Sequence, residues 1–172
     1  LCIEDPLREE APSVIRALKQ AGFKKAVMMT GDSERTAAAA AEKVGVDTYD
    51  SEVLPEDKAR FIETEKAAGR KVVMVGDGIN DSPALSAADV GIAVSDGAEI
   101  AREIADITIS ADKLDDLVTL KLLSNALVRR IRHNYRQIVG INTILILLGV
   151  SGILQPAVSA ALHNLSTLGI SL

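Results

Sequence analysis

A single cysteine, Cys2, no tryptophan and only 2% aromatic residues mark what this 172-residue chain lacks. One thiol excludes a disulfide within the chain and any Cys-x-x-Cys metal site. With 48% hydrophobic residues and so few rings, packing must come from Ala, Val, Ile and Leu. Acidic residues are missing after Asp116: all 24 lie at or before it, with 14 of the 19 Lys and Arg. The front part therefore carries a net charge of −10 and the remainder +5. Such asymmetry implies two environments. An acidic front part also excludes a nucleic-acid groove, which requires clustered positive charge.

Apolar spacing predicts helices over Glu9–Ala21, ended at Gly22, over Glu34–Val44, stopped by Gly45, and over Glu56–Ala68, ended at Gly69. Short apolar runs predict strands at Ala26–Met29, Val72–Val75, Gly91–Val94 and Ile107–Ile109, with a further helical segment from Pro83 to Ala88. Strands alternating with helices imply βαβ units and a parallel sheet.

Two of these strands end in chemistry. Val72–Val75 runs into Gly76-Asp77-Gly78-Ile79-Asn80-Asp81, two carboxylates and an amide on a loop that glycines allow to bend. Mg²⁺ takes hard oxygen ligands, usually one or two carboxylates plus substrate phosphate, and ligands gather at the carboxyl ends of strands in open α/β sheets. Gly-Asp-Gly also makes ordinary turns. Ala26–Met29 ends in Thr30-Gly31-Asp32, a hydroxyl and a glycine ahead of a helix N-terminus, which suits a phosphate. Asp32 or Ser33 equally suits a simple helix cap. Lys58, in Leu54-Pro55-Glu56-Asp57-Lys58, could neutralise a transferring phosphoryl group or be a solvated lysine.

Beyond residue 116 the pattern changes. Leu114–Gln137 has the period of a long helix and carries Arg129, Arg130, Arg132 and Arg136. Ile138–Leu154 and Ala157–Leu172 follow without a charge, separated by Gln155-Pro156. At ~1.5 Å per residue the first run extends roughly 25 Å, a little under the ~30 Å hydrocarbon core, and it can lengthen back through Tyr135. A membrane hairpin with its arginines on the cytoplasmic side is expected; buried helices of a soluble core are the other reading. Asn142, Thr143, His163, Asn164, Ser166 and Thr167 are polar within these runs. Such residues line pathways or join helices by hydrogen bonds. Imidazole suits transition metals rather than calcium.

The set Asp5-Pro6-Leu7-Arg8, Thr30-Gly31-Asp32, Pro55 to Lys58 and Gly76 to Asp81 resembles the phosphorylation domain of P-type ATPases, ion pumps of the haloacid-dehalogenase superfamily. The apolar runs resemble the last two membrane helices of the heavy-metal subfamily. The resemblance implies a Rossmann-like α/β parallel sheet, incomplete here, followed by a transmembrane α-hairpin. It divides the chain into a phosphorylation domain (1–116), a basic connector (117–137) and two membrane helices (138–172), with 1–137 cytoplasmic in a multi-pass protein. It implies ATP as substrate of the complete pump and Mg²⁺ as cofactor. Thr30, Gly31 and Asp32 would handle the phosphoryl group and Lys58 its charge. Asp77 and Asp81 would hold Mg²⁺, with Asn80 completing the polar network. His163, Asn164 and Asn142 would meet the transported cation.

Departures from the family pattern sharpen these expectations. The aspartyl nucleophile string Asp-Lys-Thr-Gly-Thr does not occur in the chain. The chain is expected to be a piece that needs an N-terminal part of the same pump, to be inactive alone, and to leave two strands without their shared central neighbour. Ile141-Asn142 stands where copper pumps have Tyr-Asn, and Asn164 stands near the intramembrane Asp of zinc-cadmium-lead pumps. A divalent cation such as zinc, cobalt or manganese is expected over copper(I). A soluble phosphatase of the same superfamily, or a non-catalytic membrane remnant that pairs with another half-pump, are the alternatives.

Overall fold

The computed structural model describes residues 7–76, 80–94, 104–110 and 112–171. Asp5, Pro6, Asp77 and Gly78 lie outside them. The chain forms two compact units, Leu1–Lys121 and Leu122–Leu172.

In the first unit the elements alternate: α1 (Ala11–Gln20), β1 (Val27–Met29), α2 (Glu34–Val44), β2 (Thr48–Asp50), α3 (Pro55–Ala67), β3 (Val73–Gly76), α4 (Ser82–Ala87), β4 (Val90–Val94) and β5 (Ile107–Ile109). A long helix, α5 (Asp115–Val150), starts in this unit, and the boundary falls within it. The helices stop where the sequence says they should. Gly45 takes a left-handed conformation, φ 78°, and its N–H caps Ala41, as expected of a residue without Cβ.

All strand pairs are parallel, but they fall into two sheets, β1–β2 and β3–β4–β5. Strand β2 was not legible as a strand in Thr48-Tyr49-Asp50, because only Tyr49 of the three is even partly buried. In the larger sheet Val73 faces Val90 and Gly76 faces Ala93, while Ile92 faces Ile107. Gly91, Ile92 and Ala93 of the middle strand are buried in succession, the mark of a strand covered on both faces. One face packs Ile92 and Ile109 against Val14 of α1 and Leu117 of α5. The other packs Met74 against Ile62 of α3 and Ala84 and Leu85 of α4, with Met29 of β1 alongside. The result is a layer of helices on either side of a parallel sheet.

Three aspartates set the starts of paired strands. Asp47, just before β2, accepts from Ala26 N at 2.7 Å; Asp89, before β4, accepts from Val72 N at 2.9 Å; Asp106, before β5, accepts from Gly91 N at 2.8 Å. Each takes up a backbone N–H at or before the neighbouring strand, a group that is costly to leave unmade. Lys19 and Lys71 ion-pair with Asp47 and Asp89, each at 2.8 Å. These bonds hold both carboxyls below their ordinary pKa, the lysine contact first and the backbone N–H second.

In the second unit the rest of α5 and α6 (Pro156–Ser171) run antiparallel, joined at three levels: Asn134 Nδ2 to Ile170 O at 3.0 Å, His163 Nδ1 to Asn142 Oδ1 at 2.6 Å, and Ser159 Oγ to Leu145 O at 3.5 Å. Gly152, φ 77°, turns the chain between them. The expected hairpin of helices is present, but its lengths differ from expectation. The first apolar run leaves the helix at Val150 rather than Leu154, so its helical part from Ile138 extends only about 20 Å. Among the described residues no helix is long and apolar enough to cross a membrane. Lengthening the first run backward brings in Arg136 and Arg132, and α6 has only 16 residues.

Candidate active site

The site is built where two helices meet the end of β3. Pro55 opens α3 and puts Lys58 in its first turn, where the backbone N–H bonds Leu54 O at 3.2 Å. Asp81 precedes α4, and its carbonyl accepts from Leu85 N at 2.8 Å. Ile62 and Leu85, 1% and 2% exposed, lock α3 against α4. On this base Lys58 Nζ reaches Asp81 Oδ1 at 2.7 Å, across 23 residues of chain, with side chains 15% and 13% exposed. Two motifs noticed separately in the sequence thus meet in one contact.

Asp81 gives up a local bond for this one. An aspartate at a helix N-cap normally accepts from the helix's own first-turn N–H groups, yet Asp81 makes no such bond. Its carboxylate lies over Gly76 instead: a Cβ added there would collide with Asp81 Oδ2 and meet Asp81 Cβ at 2.8 Å. Only glycine fits, because any side chain would displace the carboxylate that Lys58 holds. Asn80 is exposed beside it. Asp77, Gly78 and Ile79 of the same motif lie outside the described residues.

The end of β1 is braided to the end of β2. Thr30 N donates to Asp50 O at 3.0 Å, Val53 N to Thr30 O at 3.0 Å, and Glu52 N to Asp32 O at 2.9 Å. Thr30 Oγ1 donates to Asp32 Oδ2 at 2.8 Å and accepts from Asp32 N at 3.2 Å. Asp32 therefore serves Thr30 and does not cap α2. Ser33 takes the cap position, without a side-chain cap bond. Gly31 is exposed, and a Cβ on it would meet only Val53 O at 3.9 Å, so nothing described in the chain forbids a side chain there. Glu52 escaped the sequence reading. It is the one described non-glycine residue with positive φ, 54°, a conformation that costs free energy and clusters at functional loops. No local sequence signal marks it, since glutamate is not a residue that favours this region.

The polar residues of the second unit separate into two kinds. His163 and Asn142 meet directly, as above. Ser166 Oγ and Thr167 Oγ1 both donate to His163 O at 2.9 Å, and Thr143 Oγ1 to Val139 O at 2.8 Å. These three hydroxyl protons go to the backbone of their own helices, so the bonds expected of Ser166 and Thr167 form within the helix rather than between helices. Asn164, next to His163, is exposed and rotated about 100° around the helix. Among the described residues no three His, Cys, Asp or Glu side chains converge on a metal position.

A family model of haloacid dehalogenase-like hydrolases matches residues 1–89. Over 99% of its length the chain is 38% identical to a manganese-exporting P-type ATPase of Mycobacterium leprae (strain TN), of which it spans 24%. It is 40% identical to a probable copper-exporting P-type ATPase V of Mycobacterium tuberculosis, again over 99% of this chain and 22% of that one. A crystal structure of a zinc-transporting PIB-type ATPase in the E2.Pi state superposes with a TM-score of 0.81 at 31% identity, covering 97% of this chain and 27% of that one. The chain spans about a quarter of the length of the relatives it matches. With a parallel α/β fold and a lysine–aspartate pair at a strand's carboxyl end, this chain belongs to the haloacid dehalogenase-like hydrolases, and its relatives are heavy-metal P-type ATPases.

Proposed function

We propose that this chain is the part of an ATP-driven heavy-metal cation pump that handles the phosphoryl group and contributes to the membrane path of the metal. The observation that carries the reading is the Lys58–Asp81 pair at 2.7 Å, mounted on two helices with a rigid buried contact. A cation held there can stabilise charge developing on a transferring phosphoryl group. Thr30 and Gly31 would meet that group from the other loop: Gly31 leaves its backbone open to a close approach, and the Thr30 hydroxyl, which donates to Asp32 here, would turn its proton to a phosphoryl oxygen.

The donor set suits Mg²⁺. Asp81 offers a hard carboxylate oxygen, Oδ2, while Lys58 engages Oδ1, and Asn80 is adjacent; such oxygens are what Mg²⁺ takes. Asp77 and Asp81 would hold the ion, Asp77 by its place in the motif. When bound, Mg²⁺ neutralises charge on the phosphoryl oxygens. The acceptor aspartate would come from the N-terminal part of the pump, on a strand lying between β1 and β3. That the strands form two sheets, each with β1 or β3 paired on one side, supports this arrangement.

In this reading residues 1–137 are cytoplasmic, the last of them (117–137) a basic connector, and 138–172 enter the bilayer with Arg129–Arg136 at the cytoplasmic face. Arginine stems can lie along apolar surface with their heads in water, so the helical length of α5 before Ile138 makes up what its apolar run lacks. His163 would contact a divalent transition metal, the class that the manganese and zinc relatives are named for; copper is named for an equally similar one. The reading is tested in the complete pump with labelled ATP and acid quenching. Asp77→Asn should abolish Mg²⁺-dependent phosphoenzyme while Asp96→Asn, in the later Ser-Asp-Gly string, changes it little. Equal losses from both would sink the assignment. A soluble phosphatase of the same superfamily is the second reading, for which the match of residues 1–89 to haloacid dehalogenase-like hydrolases speaks. Recovery of the 172-residue chain in the supernatant, rather than with liposomes on flotation, would select it.

A further inference from the structure

Two polar side chains face each other in the helical hairpin of the second unit. His163 Nδ1 lies 2.6 Å from Asn142 Oδ1. The pairing is in register with two further bonds, Asn134 Nδ2 to Ile170 O on one side and Ser159 Oγ to Leu145 O on the other. With the Asn142 oxygen toward the ring, as placed, Nδ1 carries the proton, and a neutral imidazole then keeps its lone pair on Nε2. A ring held by its other nitrogen is how ligand histidines are oriented and made more basic.

We infer that Asn142 is a positioning residue rather than a ligand: its side-chain oxygen fixes His163 in the Nδ1–H tautomer and thereby presents Nε2 to the transported cation. This rests on the reading of His163 as a metal contact. The chemistry of the pair favours it, because imidazole nitrogen is a good ligand for borderline transition metals and an amide oxygen is a hard donor better suited to Mg²⁺ or Ca²⁺. Ser166 and Thr167 add to the same arrangement from within the helix. Their hydroxyls take up the His163 carbonyl.

A bond that merely joins two helices predicts something different: loss of hairpin stability with no effect on metal. Zn²⁺ alone is therefore titrated into the complete pump carrying this segment, for wild type, Asn142→Leu, Asn142→Asp and His163→Ala. In parallel, ¹⁵N chemical shifts of labelled histidine report the His163 tautomer in the full 172-residue chain in micelles, where His133 is the only other histidine. Asn142→Leu should weaken Zn²⁺ binding about 10–100-fold and release the Nδ1–H tautomer, and Asn142→Asp, which still accepts, should restore both. His163→Ala should lose at least as much affinity. Wild-type affinity in Asn142→Leu beside a loss in His163→Ala overturns the positioning role and leaves His163 a ligand. Weakened binding in Asn142→Leu with the tautomer unchanged overturns it in favour of Asn142 as a direct ligand. Wild-type affinity in both variants removes His163 from the metal path, and this inference with it.

Discussion

The two units of this chain handle apolar surface in opposite ways. The first exposes three large hydrophobic residues among those described, Leu7, Leu54 and Val75, and buries eleven of the twelve core residues. The second exposes sixteen and buries only Leu145. Single exposed apolar side chains are ordinary on a protein surface, but sixteen large ones in one short helical pair are not. The charges divide the same way, with every acidic residue before Leu122 and only arginines and Lys121 charged after Asp116. A unit that buries most of its large apolar side chains therefore sits in sequence beside a helical pair that exposes them. The first unit's polar side chains are tied across long stretches of chain, as in Lys58–Asp81 and Lys71–Asp89, whereas the second unit's hydroxyls mostly bond their own helix.

The largest expected effect breaks the chemistry of the first unit while sparing the second. In the complete pump, Lys58→Met should lower phosphoenzyme formation about 10²–10³-fold, the scale of losing one charge-stabilising donor, and leave Zn²⁺ binding at the wild-type level. Loss of both would mean that the two regions are not separable. A second test removes the partner of a nearly buried ion. Asp81→Ala removes the partner that Lys58 has among the described residues and should destabilise the first unit by about 3 kcal/mol in urea unfolding. Gly76→Ala should cost about 1–3 kcal/mol by overpacking, because its Cβ would collide with the same carboxylate.

The comparison of apolar surface is sharpened by a matched pair. Ile62→Ala, at 1% exposure, should destabilise by about 2–5 kcal/mol. Leu147→Ser, at 63% exposure, should change urea unfolding by no more than about 0.5 kcal/mol but reduce liposome flotation. A large loss of unfolding stability from Leu147→Ser would show that the second unit is packed against protein.

The smallest effect is one of pH. Asp47 and Asp89 have carboxyl pKa values lowered by lysine and backbone N–H bonds. A group whose pKa is depressed on folding stabilises above its unfolded value, about 3.9, and loses that contribution as pH falls through the folded value. Acid unfolding should therefore begin near pH 4 and deepen below it, and Asp89→Asn should flatten that limb. Identical acid limbs in urea midpoints measured from pH 6 to pH 2.5 would remove these aspartates from the account.

Much of the fold could be read in the residues. Helix α2 and strand β5 lie where the spacing put them, because alanines ending in a Gly45 cap, and a β-branched Ile-Thr-Ile, favour one backbone state by local sterics alone. The motifs around Thr30, Lys58 and Asp81 were legible for a similar reason, since their chemistry is carried by residue type and by position after an apolar run. Strand β2 was not, because what makes it a strand is pairing with β1, and a pairing partner 21 residues away leaves no mark on Thr-Tyr-Asp.

The tertiary structure alone decided the rest. It determined that Asp81 turns from its own helix to Lys58, that Gly76 must lack a side chain, that Glu52 takes positive φ and that Asn142 finds His163. Each depends on distances between segments far apart in the chain. Periodicity reports which residues share a face, and composition reports what solvent that face suits; neither reports which two faces are brought within 3 Å, because that follows from the packing of whole elements.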